Sequence, residues 1–193
     1  MVPFTTVILA GGKSTRMGRD KALIPFQGRP LIGYAIDLAE ALNSPVIISA
    51  NGHHLDHLGF PVRQDILPVS APLAGIHAGL KASHTGWNLV LTCDMPYVPA
   101  ELIHRLALQT DDTVRMVLPR HNGFIEPLCG FWHKELLPVI ESMADRGILK
   151  LLDVAGVVAH RIVNLDDVPA EELRKWFTNM NRIGDLDETV END

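Results

Sequence analysis

Glycines and cationic side chains follow directly after an apolar run near the N-terminus. Residues 7–10 are apolar, and Gly11 and Gly12 come next. Four cationic residues then occur within a short stretch, namely Lys13, Arg16, Arg19 and Lys21. Glycine lets the backbone approach a ligand closely, and successive backbone N–H groups in such a loop can bind phosphate oxygens. This stretch therefore predicts a buried strand that leads into an anion-binding loop.

Two common phosphate-binding loops do not match this stretch. A Walker A loop that ended in Gly12-Lys13-Ser14 would need a glycine at position 7, where the chain has Val7. The dinucleotide-binding pattern G-x-G-x-x-G is also absent, because Gly11 and Gly12 are adjacent and the next glycine is Gly18. An ordinary strand-to-helix turn explains the glycines but does not require Arg and Lys at fixed positions.

Asp94 is the second position at which the sequence predicts chemistry. It follows the apolar run of residues 89–91 and precedes Pro96. In open α/β sheets ligands bind beyond the carboxyl ends of the strands, and Mg²⁺ takes one or two carboxylates together with substrate phosphates and water. Asp94 is therefore a candidate magnesium ligand. The alternative is a carboxylate that only caps the turn before Pro96.

The order of the predicted elements indicates how these residues are positioned. Apolar β-rich runs alternate with helical patterns, which is typical of α/β proteins. We expect a three-layer, mostly parallel Rossmann-like sheet with helices on both faces, in one domain over residues 1–193. Asn122-Gly123 is a hairpin signal, so residues 124–132 are expected to return antiparallel. Other strands are expected at 6–10, 46–50, 62–64, 89–94, 114–119 and 157–165. Helices are expected at 30–42, from the loop after 65 to about 83, at 99–108, 134–143, 149–154 and 169–176, and after 181.

Charge and composition limit the possible partners. The net charge of -6 argues against a nucleic-acid partner, which normally meets a basic face. No apolar stretch approaches the roughly 20 residues that a membrane span needs, and the two cysteines cannot form a disulfide framework. We therefore expect a cytoplasmic protein with no nucleic-acid or membrane partner.

Several motifs together resemble a known family. The pattern L-A-G-G-x-S-x-R-M-G-x-D-K at residues 9–21 resembles the nucleotidyltransferases, and most closely the molybdenum cofactor guanylyltransferases. Three further motifs follow in the family's order: P-L-A-G at 72–75, C-D-x-P at 93–96 and F-x-N-x-N at 177–181. The chain departs from the family at Ser49, where Asn is common, at Ala71, where Gly is usual, and at Arg182-Ile183, where Thr-Pro is usual.

The resemblance implies transfer of GMP from GTP to the phosphate of molybdopterin or molybdenum-molybdopterin, with release of pyrophosphate. It implies catalytic roles for Arg16, Lys21 and Asp94, with Mg²⁺ held by Asp94. Asn179 and Asn181 are implied on the pterin side of the site. The implied nucleotide-binding residues are Leu9, Ala10, Gly11, Gly12, Lys21, Asp65 and Asp94.

Other functions remain open from the sequence. One alternative is the cytidylyltransferase that acts on the same cofactor, and another is a nucleotidyltransferase for sugar phosphates. A third is a regulator that binds a nucleotide without catalysing a reaction. If the chain is a guanylyltransferase, molybdoenzyme apoproteins or their chaperones are expected as further partners.

Overall fold

The computed structural model describes residues 2–11 and 21–180, and the strands in this part of the chain are short to medium in length. They are β1 (Phe4–Leu9), β2 (Pro25–Phe26), β3 (Arg29–Pro30), β4 (Val46–Ser49), β5 (Val62–Arg63), β6 (Trp87–Thr92), β7 (Met116–His121), β8 (Phe124–Ile125), β9 (Cys129–His133) and β10 (His160–Asn164). The helices are α1 (Ile32–Ala41), α2 (Pro72–Ala82), α3 (Ala100–Ala107), α4 (Leu137–Asp145), α5 (Leu151–Ala155) and α6 (Ala170–Trp176). None of the helices within these ranges is long and apolar enough to cross a membrane.

The main sheet has the strand order β5-β4-β1-β6-β9-β7-β10, and β8 pairs with β7 outside this path. β1 lies between two parallel neighbours, with Val7 opposite Ile47 on β4 and opposite Val90 on β6. β9 is antiparallel to both β6 and β7, while β10 is parallel to β7. The prediction of a mostly parallel sheet with an antiparallel return after Asn122-Gly123 is therefore confirmed.

Side chains that alternate along the central strands fill two separate cores. Val7 and Leu9 of β1 face the core that includes α2, α4 and α5, whereas Ile8 faces the core that includes α1, α3 and α6. In β6, Val90 faces the core that includes α2, α4 and α5, and Leu91 faces the core that includes α1, α3 and α6. Because both faces of the strands are covered, the strands read as continuous apolar runs in the sequence. The predicted three-layer arrangement is confirmed.

Some predicted boundaries were wrong. The helix expected from residue 30 begins at Ile32, because Pro30 belongs to a small hairpin made of β2 and β3. Gln27 and Gly28 form its two-residue turn with φ values of 46° and 82°, the backbone geometry of a type I′ turn. The strand expected at 157–165 is shorter and covers His160–Asn164. The helix expected after 181 lies outside the described residues.

Gly79 marks the closest approach between α2 and β1, and it provides a test of the packing. A Cβ atom on Gly79 would lie 2.2 Å from Cγ1 of Val7 and 2.8 Å from its Cγ2. We expect Gly79→Ala to lower the free energy of unfolding by about 1–3 kcal/mol, because the helix must move away from the sheet. Denaturant unfolding followed by circular dichroism measures the change.

Gly33→Ala in α1 is the matched control. Its added Cβ would meet only Arg29 side-chain atoms at 3.5 Å or more, which is ordinary contact. Alanine also favours a helix over glycine by about 0.5–1 kcal/mol, so this variant should be as stable as the parent protein or more so. Equal stability of the two alanine variants would contradict the packing described here.

Candidate active site

The carboxyl ends of β1, β4 and β6 meet at one edge of the sheet, and the predicted site residues follow these ends. The Ala10 N–H donates to the Ser49 carbonyl at 2.9 Å, and the Cys93 N–H donates to the Leu9 carbonyl at 3.1 Å. These backbone hydrogen bonds extend the pairing between neighbouring strands by one residue past the strand ends. The segments that hold Gly11 and Asp94 therefore lie side by side.

Lys21 and Asp94 form an ion pair at this edge although 73 positions separate them in the sequence. Lys21 Nζ lies 2.5 Å from Asp94 Oδ2, and each side chain is 17% exposed. The Thr92 hydroxyl donates to the other carboxylate oxygen, Oδ1, at 2.7 Å. Both oxygens of Asp94 are engaged, so its carboxylate has a fixed orientation. The structure thus brings together two residues that the sequence predicted to be catalytic.

Asp65 is held by a neighbour that the sequence analysis did not predict to be functional. The Asn51 side-chain amide donates to Asp65 Oδ2 at 2.8 Å, and the Asp65 backbone N–H donates to Asn51 Oδ1 at 3.0 Å. This reciprocal pair joins the segment after β4 to the segment after β5. An ideal Cβ built on Gly75 would lie 3.7 Å from Asp65 Oδ1, so the second carboxylate oxygen is directed toward the start of α2.

A cleft of about 80 Å³ lies between these segments and the start of α2. Its lining residues come from the ends of β1, β4, β6 and β9 and from the loop that enters α2: Leu9, Gly11, Ser49, Asp65, Ala71, Pro72, Gly75, Thr92 and Leu128. Because α2 begins at Pro72, the positive end of its dipole faces the cleft. One wall of the cleft is therefore electropositive, while Asp65 adds a negative charge to another wall.

Small residues let α2 approach the strand ends. A Cβ on Gly75 would lie only 2.8 Å from Ser49 Oγ and 3.2 Å from Leu9 Cδ2. Ala71, at the position where the resemblance expects glycine, has extended backbone with φ -152° and ψ 156°, which any residue can adopt. This departure from the family pattern therefore leaves the local backbone unstrained.

Gly11 lines the cleft, although the packing around it would also accommodate a residue with a side chain. A Cβ at this position would meet its nearest described neighbour, Ala50 Cα, at 3.6 Å, which is an ordinary contact. The absence of a side chain instead leaves its backbone open toward the cleft. Gly12 and Arg16, predicted from the same loop, lie outside the described residues.

The segment that follows α6, residues 177–180, forms a hydrogen bond with the backbone of Asp94. The Met180 backbone N–H donates to the Asp94 carbonyl at 2.9 Å. The Met180 side chain is 1% exposed and packs with Ile24, Phe26 and Leu31. Asn179 immediately precedes this anchor and is exposed, so the structure places it near the loop of Asp94. Asn181 lies outside the described residues.

Glu126 is a further acidic residue at this edge that sequence reasoning missed. It lies between β8 and β9, and its Oε1 accepts a hydrogen bond from the Leu128 N–H at 3.0 Å. Burial raises the pKa of Glu126, and the nearby charge of Asp94 raises it further. The signal in the sequence was the predicted hairpin at Asn122-Gly123, which carries the following residues back to the edge where Asp94 lies.

Met180→Ala tests whether the segment after α6 is anchored as described. Removing a side chain that is almost fully buried should lower the free energy of unfolding by about 2–5 kcal/mol, because a cavity forms among Ile24, Phe26 and Leu31. Met180→Leu keeps most of the volume and should cost less than about 1.5 kcal/mol. Denaturant unfolding measures both variants, and equal losses in the two would argue against a buried anchor.

Comparison with known proteins agrees with this geometry. The family model described as the MobA-like NTP transferase domain matches residues 6–162. A protein of Carboxydothermus hydrogenoformans, named probable molybdenum cofactor guanylyltransferase, is 34% identical over 191 residues that cover 98% of this chain and 96% of its own. The molybdenum cofactor guanylyltransferase of Vibrio atlanticus is 33% identical over 178 residues, covering 91% and 89%.

Solved structures share the fold. Molybdopterin-guanine dinucleotide biosynthesis protein A from Archaeoglobus fulgidus superposes with a TM-score of 0.77 at 22% identity and covers 96% of each chain. A nucleotidyl transferase from Methanothermobacter thermautotroptrophicus gives a TM-score of 0.64 at 18% identity, covering 97% of this chain and 95% of its own. The fold class and the resemblance seen in the sequence are both confirmed. This chain belongs to the MobA-like NTP transferase family.

Proposed function

We propose that this protein transfers GMP from GTP to the phosphate of molybdopterin or molybdenum-molybdopterin and releases pyrophosphate. The observation that carries this proposal is the Lys21–Asp94 ion pair, at the sheet edge where Gly11 and Thr92 line the cleft. The names of relatives that match nearly the whole chain at 33–34% identity support the choice of reaction. A cytoplasmic location and delivery of the product to molybdoenzyme apoproteins or their chaperones extend the proposal.

The nucleotide side of the proposed site runs from Asp65 to Asp94. Asp65, held by Asn51, helps to place the nucleoside at one end of the cleft. The triphosphate lies near Gly11 and Lys21, where backbone N–H groups and a cation can neutralise its oxygens. Leu9 and Ala10 supply the strand end from which this loop leaves. Gly12 and Arg16 belong to the same proposed phosphate site.

Mg²⁺ fits the residues around Asp94. The carboxylate is half-buried and held by Thr92, and it offers the hard oxygen ligand that Mg²⁺ prefers. Within residues 2–11 and 21–180 no group of three or more His, Cys, Asp or Glu could enclose a metal ion. A single carboxylate can hold Mg²⁺ when phosphates and water complete the coordination shell. When bound, Mg²⁺ would neutralise the phosphate charge.

Lys21 has a second role in the proposed reaction. It balances the Asp94 charge in the structure described here, and with GTP bound its ammonium group would neutralise charge on the leaving pyrophosphate. The acceptor phosphate oxygen forms a bond to the α-phosphorus while the bond from that phosphorus to the pyrophosphate oxygen breaks. Such a transfer depends mainly on positioning and on stabilisation of charge, and it requires no protein nucleophile. Asn179 and Asn181 contact the acceptor side.

Nucleotide-dependent stabilisation tests the choice of substrate. A ligand at a hundredfold excess over its dissociation constant stabilises the folded protein by about 2.7 kcal/mol, which raises the melting temperature of a chain of this size by roughly 5–10 °C. We expect this increase with GTP and Mg²⁺, and not with CTP, ATP or UTP. A selective response to CTP would assign the protein to cytidylyl transfer, and no response to any nucleotide would refute the proposed phosphate site.

Asp94→Asn tests the metal assignment. The substitution keeps the shape of the side chain but removes its charge, so turnover should fall by about 100-fold or more and Mn²⁺ should bind more weakly in a direct spin-resonance titration. Asp153→Asn, at an exposed position in α5, is the control and should change neither quantity. Near-normal turnover and unchanged Mn²⁺ affinity in Asp94→Asn would show that this carboxylate does not hold the metal.

A further inference from the structure

Glu126 lies across the sheet edge from Asp94, on the side away from Asp65. The antiparallel pairing of β6 and β9 ends with Leu91 opposite Cys129, so the segment that leads into β9, with Glu126, and the segment that leaves β6, with Asp94, lie at the same edge of the sheet. The nearby charge of Asp94 raises the pKa of Glu126, which agrees with this placement. In the strand order β5-β4-β1-β6-β9, strands β5 and β9 lie on opposite sides of β6. Along this edge of the sheet, Asp94 therefore lies between Asp65, at the proposed nucleoside end of the cleft, and Glu126.

The position of Glu126 is fixed by hydrogen bonds on both sides. Its backbone N–H donates to the Pro119 carbonyl at 3.0 Å, which holds it beside β7. Its Oε1 accepts from the Leu128 N–H, also at 3.0 Å, and Leu128 lines the cleft. Among the described residues no cation forms an ion pair with Glu126. Its second oxygen, Oε2, can therefore accept a hydrogen bond from a ligand.

The arrangement favours a hydrogen-bond donor over a metal ion as the ligand of Glu126. The two oxygens of Asp94 face Lys21 and Thr92, whereas the hydrogen bonds of Glu126 go to Leu128 and Pro119. Each carboxylate therefore has its own hydrogen-bond partners in the part of the chain that the structure describes. A carboxylate beside Asp94 repels phosphates but accepts strong hydrogen bonds from N–H groups. The heterocycle of a pterin carries such donors on its ring nitrogen and its amino group.

We propose that Glu126 binds the acceptor substrate, with its carboxylate accepting hydrogen bonds from the N–H donors of the pterin. This proposal rests on the proposed function and adds an acceptor-binding residue on the strand β9 side of Asp94. Asn179 is carried to the same region by the Met180 anchor, so the two residues approach the acceptor from different elements of the fold.

Glu126→Gln tests this role with little change in shape. If the new amide keeps its oxygen on the Leu128 N–H, its NH₂ group faces the pterin donors, and two donors cannot pair. We expect molybdopterin to bind about tenfold or more weakly, because a hydrogen bond to a charged group is lost. Pterin fluorescence under anaerobic conditions measures this dissociation constant, and steady-state assays should give a raised KM for molybdopterin with kcat nearly unchanged.

Two further titrations separate the possible roles of Glu126. The dissociation constants of Mg²⁺-GTP and of Mn²⁺ should stay within about twofold of those of the parent protein, since a carboxylate that contacts only the acceptor leaves both sites intact. Glu40→Gln, at an exposed position in α1, is the matched control and should alter none of these values. Melting temperatures of both variants verify that they fold.

Each outcome is decisive. Weaker molybdopterin binding with unchanged GTP and Mn²⁺ binding supports the proposal. A parallel loss of Mn²⁺ affinity would make Glu126 a metal ligand and overturn it, and so would unchanged molybdopterin binding in Glu126→Gln. If the parent protein binds Mg²⁺-GTP but neither binds nor converts molybdopterin, the proposed function fails first and the role of Glu126 fails with it.

Discussion

The ion pair between Lys21 and Asp94 is the contact on which the site depends. It joins Lys21, in the segment that follows β1, to Asp94 at the end of strand β6, and β1 and β6 are adjacent and parallel. A half-buried carboxylate needs a partner, because burial without one costs free energy. Lys21 supplies that partner, so a residue proposed to act on phosphates also stabilises the site when no phosphate is bound. The hydrogen bond from Thr92 keeps the carboxylate aimed in the same direction.

The antiparallel strand β9 brings a further segment of the chain to the sheet edge at which Asp94 lies. In an all-parallel sheet the next strand beyond β6 would end at this edge, whereas β9 begins here. The segment that enters β9 therefore lies beside Asp94 and carries Glu126 and Leu128. The parallel strands β1, β4 and β5 supply the loops around Gly11, Asn51 and Asp65. Two kinds of strand ending thus meet near Asp94.

Much of the fold was predictable because it follows from local patterns. Buried strands appear as apolar runs, and the Asn122-Gly123 turn revealed the antiparallel return. The hairpin at Pro25–Pro30 was missed because a proline before an apolar stripe also fits the first turn of a helix. The positive φ of Gln27 gave no signal, since glutamine is not a residue that favours this conformation.

The site was predictable only in part. Gly11, Lys21 and Asp94 follow from the chemistry of their surroundings and from the family pattern. The pairing of Asn51 with Asp65, the anchor at Met180 and the position of Glu126 depend on contacts between segments far apart in the chain. Such contacts leave no local periodicity in the sequence. Asn51 was not predicted as a site residue, because an Asn-Gly pair after a strand gives no sign of the hydrogen bonds that Asn51 makes to Asp65.

The distribution of charge explains how two anionic substrates could share one edge of the sheet. Both GTP and the proposed acceptor carry phosphates, which must meet for the reaction to occur. Cations therefore belong at the centre, where Lys21 lies and where Asp94 can hold Mg²⁺. Asp65 and Glu126 lie on opposite sides of this centre, and their negative charge repels phosphates from both ends. In the proposed complex the same two carboxylates face heterocycles with N–H donors, so one arrangement orients both substrates with their phosphates toward the metal.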